Sequence, residues 1–428
     1  MTAHSAAMLF LDLMVIIAVA RMLGVVARRL GQPAVIGEIL GGLLLGPTLY
    51  GAATTTALFP TDVRPTLTTV ANIGVCVFMF LVGLEADREL LRGQGRIAVT
   101  VSLSAIALPF AFGTVLALYL IGNHPTEHRL GFVLFLGTAM SVTAFPVLAR
   151  ILTDKGLIRT PIGGLALACA ALDDVLAWSI LAVVTALVTS GDDHWQILLA
   201  LPYGLVMLGV VRPLLARLSR RVVLKGRTAN AGVLVALAAG LWLSAEATDR
   251  IGLHLIFGAF LFGAIMPREG ARALREHALP RIKRICAAVL LPVFFTSAGL
   301  KVDLSSMDGG AVGELALILL VAIGGKFAGA YFGARVNGVR PRHSAVLAIL
   351  INTRGLTELI VLTVGLQIGV LDTRLYSLMV VMALVTTGMA GVLLRFVYPE
   401  ERARQDVAAH ETALTSTPSP VPSKEPSS

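Results

Sequence analysis

About thirteen apolar runs, each near the roughly 20 residues a helix needs to cross a bilayer, fill this chain almost from end to end. They lie at about 7–26, 34–50, 68–84, 97–121, 130–152, 162–189, 196–216, 229–246, 251–267, 285–300, 311–334, 343–369 and 375–398. Hydrocarbon offers no hydrogen bonds, so each crossing must satisfy its own backbone, which helices do. The fold class expected is therefore an all-α polytopic membrane protein with about 13 transmembrane helices. Composition agrees. Only 14% of the 428 residues are charged and 56% are hydrophobic, against about 25% and 45–50% in soluble domains. Cys76, Cys169 and Cys286 share no motif spacing, so they read as small buried hydrophobes. No cofactor is expected.

The charges that remain alternate from loop to loop. One set holds Arg28 and Arg29; Arg88, Arg92 and Arg96; Lys155 and Arg159; Arg217, Arg220, Arg221, Lys225 and Arg227; the group from Arg268 to Arg284; and Arg335, Arg340 and Arg342. The other set holds only Arg64, Arg129, Arg250, Lys301 and Arg374. Basic loops stay cytoplasmic, so the N-terminus is expected outside, the C-terminus inside, and the protein in the plasma or inner membrane. Topology thus accounts for most of the net charge of +9. Nucleic acid is not an expected partner, because no basic run is interleaved with stacking aromatics. Residues 1–398 read as one transmembrane domain. Residues 399–428, rich in Ser, Pro and Thr, read as a disordered cytoplasmic tail.

A charge inside a span costs several kcal/mol unless paired or hydrated, so the intramembrane charges carry the functional reading. Asp173 and Asp174 stand together about 17–18 Å into the sixth run, near the bilayer midplane. Lys326, among Gly324, Gly325 and Gly329, reaches similar depth in the eleventh and is the natural counter-charge. In the twelfth, Asn352-Thr353-Arg354-Gly355 breaks the apolar run, with Glu358 one turn beyond Arg354. In the fifth, Ser141, Thr143 and Pro146 do the same. Polar interruptions at midplane depth mark discontinuous helices. Gly83-Leu84-Glu85-Ala86-Asp87 resembles Gly299-Leu300-Lys301-Val302-Asp303, an offset that brings Thr143 beside Glu358. The two interrupted runs enter from opposite faces, as in transporters built from inverted repeats.

Several segments resemble monovalent cation:proton antiporters, in the branch of bacterial Na+/H+ and K+/H+ antiporters and plant cation/H+ exchangers. They are Gly31 to Gly42 with Leu45-Gly46-Pro47, Ser141 to Leu152, Asp173-Asp174, Leu291 to Leu304, Gly325-Lys326, and Asn352 to Leu362. The resemblance implies a homodimer with a dimer-forming scaffold and a mobile ion-carrying core. It implies that the fifth and twelfth spans cross as broken helices. Asp174 would carry Na+ or K+ in exchange for H+. Asp173 would pair with Lys326 in the proton-loaded state, Thr143 would offer oxygens, and Arg354 and Glu358 would support the crossing. The plant members usually have Asn where Asp173 stands; the acid pair here resembles electrogenic Na+/H+ members. The short tail leaves no room for the nucleotide-binding domain of glutathione-gated K+ efflux members. A K+-selective channel-like efflux path is the alternative reading. An intramembrane aspartyl enzyme is the alternative of another class, but adjacent aspartates on one helix cannot face each other as a dyad.

Overall fold

The structure is a computed structural model that describes residues 3–48, 51, 55, 58–60, 62–85, 95–157, 160–189, 199–217, 231–251, 253–267, 279–305 and 307–399. Among the described residues the fold is entirely helical. The order is α1 (Ala3–Arg29), α2 (Ala34–Leu45), α3 (Arg64–Glu85), α4 (Gly95–Leu120), α5 (Arg129–Ser141), α6 (Phe145–Asp154) and α7 (Pro161–Thr189). Then come α8 (Ala200–Val206), which runs into a π-helical turn Met207–Val211, α9 (Ala231–Arg250) and α10 (Leu255–Ala264). Next, α11 (Leu279–Ile285) continues through a second π-helical turn, Cys286–Leu290, into α12 (Leu291–Gly299). The chain ends with α13 (Gly309–Val336), α14 (Pro341–Ile351), α15 (Leu356–Gln367) and α16 (Thr373–Val397).

Every apolar run expected from the sequence contains helix, but the count of thirteen crossings is not established. Eight helical segments among the described residues are long and apolar enough to cross, two of them the joined α5–α6 and α11–α12, or nine with the bent pair α14–α15 taken as one. Two other apolar helices, α2 and α10, are shorter. At 12 residues, α2 rises only about 18 Å, less than the hydrocarbon thickness. Most basic loop residues from 86–94, 218–230 and 268–278, and the tail beyond 399, lie outside the described residues.

Packing divides the helices into two groups. α4 to α7 pack among themselves and with α13 to α16; α1, α2, α3, α9, α10 and α12 form the second group. Within the first group α4 and α13 pack closely. A Cβ on Gly329 would lie 2.4 Å from the carbonyl oxygen of Ser104, so only glycine permits this spacing. It draws Lys326, one turn away, into full burial.

Two helices are broken, where the sequence predicts. The α5–α6 break falls at Val142, Thr143 and Ala144, whose flanks are extended: Val142 has ψ 140° and Ala144 ψ 94°. Pro146 favours it, because proline has no N–H to donate to Val142 O four residues back and its ring crowds that carbonyl, so it is accommodated in the first turn of α6 and not inside a continuous helix. The α14–α15 break bends the chain by 43° at residues 352–355. Gly355 there has φ +152°, a region open to glycine alone, and a Cβ would meet Val147 at 2.7 Å. The two breaks touch: Ala144 N–H donates to Thr353 O at 3.0 Å.

Candidate functional site

The crossing leaves free helix ends in the middle of the molecule, and these set the site's electrostatics. The last carbonyls of α5 have no partners within their helix. Arg354, from the other break, supplies them. Its guanidinium donates to Ala139 O at 2.9 Å and to Met140 O at 2.6 Å, and pairs with Glu358 at 2.7 Å. A cation here also suits the negative end of the α5 dipole, and Glu358, in the first turn of α15, suits a positive end. Both side chains are fully buried, and their charges cancel. Thr387 of α16 holds the break from the other side, its hydroxyl donating to Arg354 O at 2.7 Å.

Asp173 and Asp174 lie on α7 opposite the crossing, and both are buried. Adjacent helical residues project about 100° apart, so the two carboxylates have different neighbours. Lys326 Nζ donates to Thr143 Oγ1 at 2.7 Å and stands 3.5 Å from Asp173 Oδ2. Thr143 Oγ1 in turn lies 2.7 Å from Asp173 Oδ2 and 3.1 Å from Ile351 O. The hydroxyl has one proton to give, and the shorter, charge-assisted contact to Asp173 favours it. Asp174 instead accepts from the backbone N–H of Phe145, the first residue of α6. The predicted residues Asp173, Asp174, Thr143 and Lys326 are therefore brought together, with Arg354 and Glu358 behind them at the breaks.

Charge counting follows directly. With all groups ionised, the two aspartates and Lys326 sum to one negative charge, while Arg354 and Glu358 cancel. One additional monovalent cation or one proton would neutralise the site. Several buried polar atoms are left for such a guest. Asp173 Oδ1, Asp174 Oδ1 and Asn352 Oδ1 have no hydrogen-bond partner among the described residues. Oxygen donors of this kind suit hard monovalent cations.

Sequence reasoning missed Thr387. Its only signal is the Thr386-Thr387 pair inside an otherwise apolar helix. Asn352 was read as part of a break, not as an unpaired amide at the site.

Comparison with known proteins gives the family and the fold. The family described as "Sodium/hydrogen exchanger, transmembrane" matches residues 14–398. The chain is 37% identical to the Na(+)/H(+) antiporter NhaS4 of Synechocystis over 410 residues, 93% of this chain and 99% of that relative. It is 37% identical to cation/H(+) antiporter 20 of Arabidopsis thaliana, over 92% of this chain but 49% of the relative. It is 31% identical to K(+)/H(+) antiporter 1 of Saccharomyces cerevisiae, over 90% of this chain and 46% of the relative. The fold matches the sodium proton antiporter MjNhaP1 of Methanocaldococcus jannaschii with a TM-score of 0.66 at 16% identity, over 94% of this chain and 99% of that one.

Proposed function

The chain belongs to the sodium/hydrogen exchanger family, and from that premise we propose that it exchanges Na+ or K+ for protons across a cell membrane. It is a multi-pass membrane transporter rather than an enzyme. The observation that carries the proposal is the buried Asp173–Asp174 pair with one lysine between two broken helices.

The exchange cycle has two loaded states. In the proton-loaded state Asp174 is protonated and Lys326 is paired with Asp173, so the site is neutral. A cation arriving at Asp174 displaces that proton, and its charge also competes with Lys326 for Asp173. Lys326 then gives up its own proton, and both carboxylates face the cation. Thr143, held by Ile351 O and Asp173, passes between the two arrangements by turning one hydroxyl. Two protons leave for one cation, so the loaded states differ by one elementary charge. Transport on this scheme is electrogenic, driven by about 2.3 kcal/mol per charge per 100 mV.

Alternating access would come from elevator-like movement of the core, α4 to α7 and α13 to α16, against a scaffold of the remaining helices. A homodimer would hold that scaffold fixed. The charge asymmetry of the loops supports an outer N-terminus and a cytoplasmic C-terminus in a plasma or inner membrane. Sodium- or potassium-dependent dissipation of a pH gradient in proteoliposomes, lost in Asp174→Asn, tests the proposal.

A further inference from the structure

A second ionic cluster lies at one end of the core, far along the helices from Asp173. The turn between α4 and α5 carries His124, whose ring is buried, 2% exposed. Its Nδ1 lies 2.5 Å from Asp372 Oδ2 and its Nε2 3.4 Å from Glu314 Oε2. These are the groups that face it, one from the loop before α16 and one from α13. Asn123 donates to Glu314 at 2.8 Å. Beyond them Arg374 of α16 meets Glu314 at 3.6 Å and Asp308 at 3.0 Å. The remaining titratable residues of the turn, Glu127 and His128, are exposed.

The ring's two contacts identify its charge. A neutral imidazole has one N–H, so one ring nitrogen would turn a lone pair toward a carboxylate. Imidazolium donates to both. The count around it agrees, since the cluster holds three carboxylates, Asp308, Glu314 and Asp372, against one guanidinium, that of Arg374. Burial opposes the charged ring, but the hydrogen bond and charge of Asp372, and then those of Glu314, outweigh it. They hold His124 above its ordinary 6.5. Asp372 is 41% exposed, which gives water a path to the ring.

What the cluster fastens is the start of α16. Asp372 also caps that helix, accepting from Leu375 N–H at 2.7 Å. In the turn that follows, Tyr376 donates to Ala298 O of α12 at 2.9 Å, and Ser377 accepts from Asp303 N–H at 3.0 Å. Those two bonds join the two packing groups at this end of the molecule.

We propose that His124 is a proton-operated latch: when protonated from the adjoining aqueous phase it ties the start of α16 to α13 and to the α4–α5 turn, and so keeps Tyr376 and Ser377 placed for the bonds that close this end of the seam between core and scaffold. The latch rests on the two-body reading above. Because the folded protein holds His124 above 6.5, its contribution is complete below that pH. It is lost as pH rises through the raised value. Acid on this face therefore slows opening, and alkali frees it.

Hydrogen exchange of the detergent-solubilised protein tests the latch without requiring transport. Between pH 6 and pH 8, after correction for intrinsic rates, amides of residues 371–378 should lose about tenfold protection while those of α14 change little. The loss should vanish in His124→Gln. In Asp372→Asn, which keeps a capping side chain, it should move to lower pH. Protection independent of pH in the parent protein, or the same loss in His124→Gln, or no displacement in Asp372→Asn, overturns the latch. Cation-dependent proton movement in proteoliposomes, measured on the same preparations, reports separately on the exchanger reading.

Discussion

Arg354 and Met140, 214 positions apart, meet at 2.6 Å, where the guanidinium of one closes the carbonyl end of the helix that carries the other. This bond joins the two breaks and explains why a full charge is kept at the centre of a membrane protein. Removing one member of a buried pair strands the other, at about 3–5 kcal/mol. Arg354→Gln should therefore lower the melting temperature sharply in detergent. Restoring neutrality with Arg354→Gln/Glu358→Gln should recover part of the loss. A single variant as stable as the parent would show that the cap contributes nothing.

Lys326 sets the charge carried per cycle. In Lys326→Gln one titrating group is gone, so one proton should exchange for one cation. The parent's rate should respond to a clamped membrane potential and the variant's should not. Equal voltage dependence in the two proteins would contradict the two-proton scheme.

Thr143 is expected to matter through its hydroxyl rather than its shape. Thr143→Val keeps the volume but leaves Lys326 and Asp173 without the bridging oxygen. Hydrogen bonds to charged groups are worth about 1.5–3 kcal/mol, or roughly 10- to 100-fold in apparent cation affinity. Thr143→Ser should stay near the parent. The half-saturating cation concentration for proton release measures both.

Gly355 should tolerate no side chain. Alanine there would strain a backbone at φ +152° and drive its Cβ to 2.7 Å from Val147 Cγ2. The strain should cost about 1–3 kcal/mol. Adding Val147→Ala relieves the contact but not the dihedral, so thermal unfolding should recover only in part.

These residues also show what a single sequence discloses. The breaks were legible because Pro146 and the polar run from Asn352 to Gly355 each violate the rules for an apolar span. That Lys326 would pair with one of the two aspartates was legible because a charge at midplane depth must find a partner; that the partner is Asp173 came from the family resemblance alone. The partners of Arg354 were not. Its spacing to Glu358 was visible, but Ala139 and Met140 contribute backbone carbonyls, which have no residue signature. His124 was missed for a related reason. It stands in a short connection with ordinary polar composition, and folding alone brings it to Glu314 and Asp372. The number of crossings resisted the reading as well, because α2 and α10 are apolar but short.

The central claim is that Asp174 carries cation and proton in turn. Proteoliposomes holding an imposed pH gradient, given Na+ or K+, measure this most directly. The parent should dissipate the gradient, and Asp174→Asn should dissipate none while melting at a temperature close to the parent's. A folded Asp174→Asn protein that exchanges at the parent's rate would contradict the account.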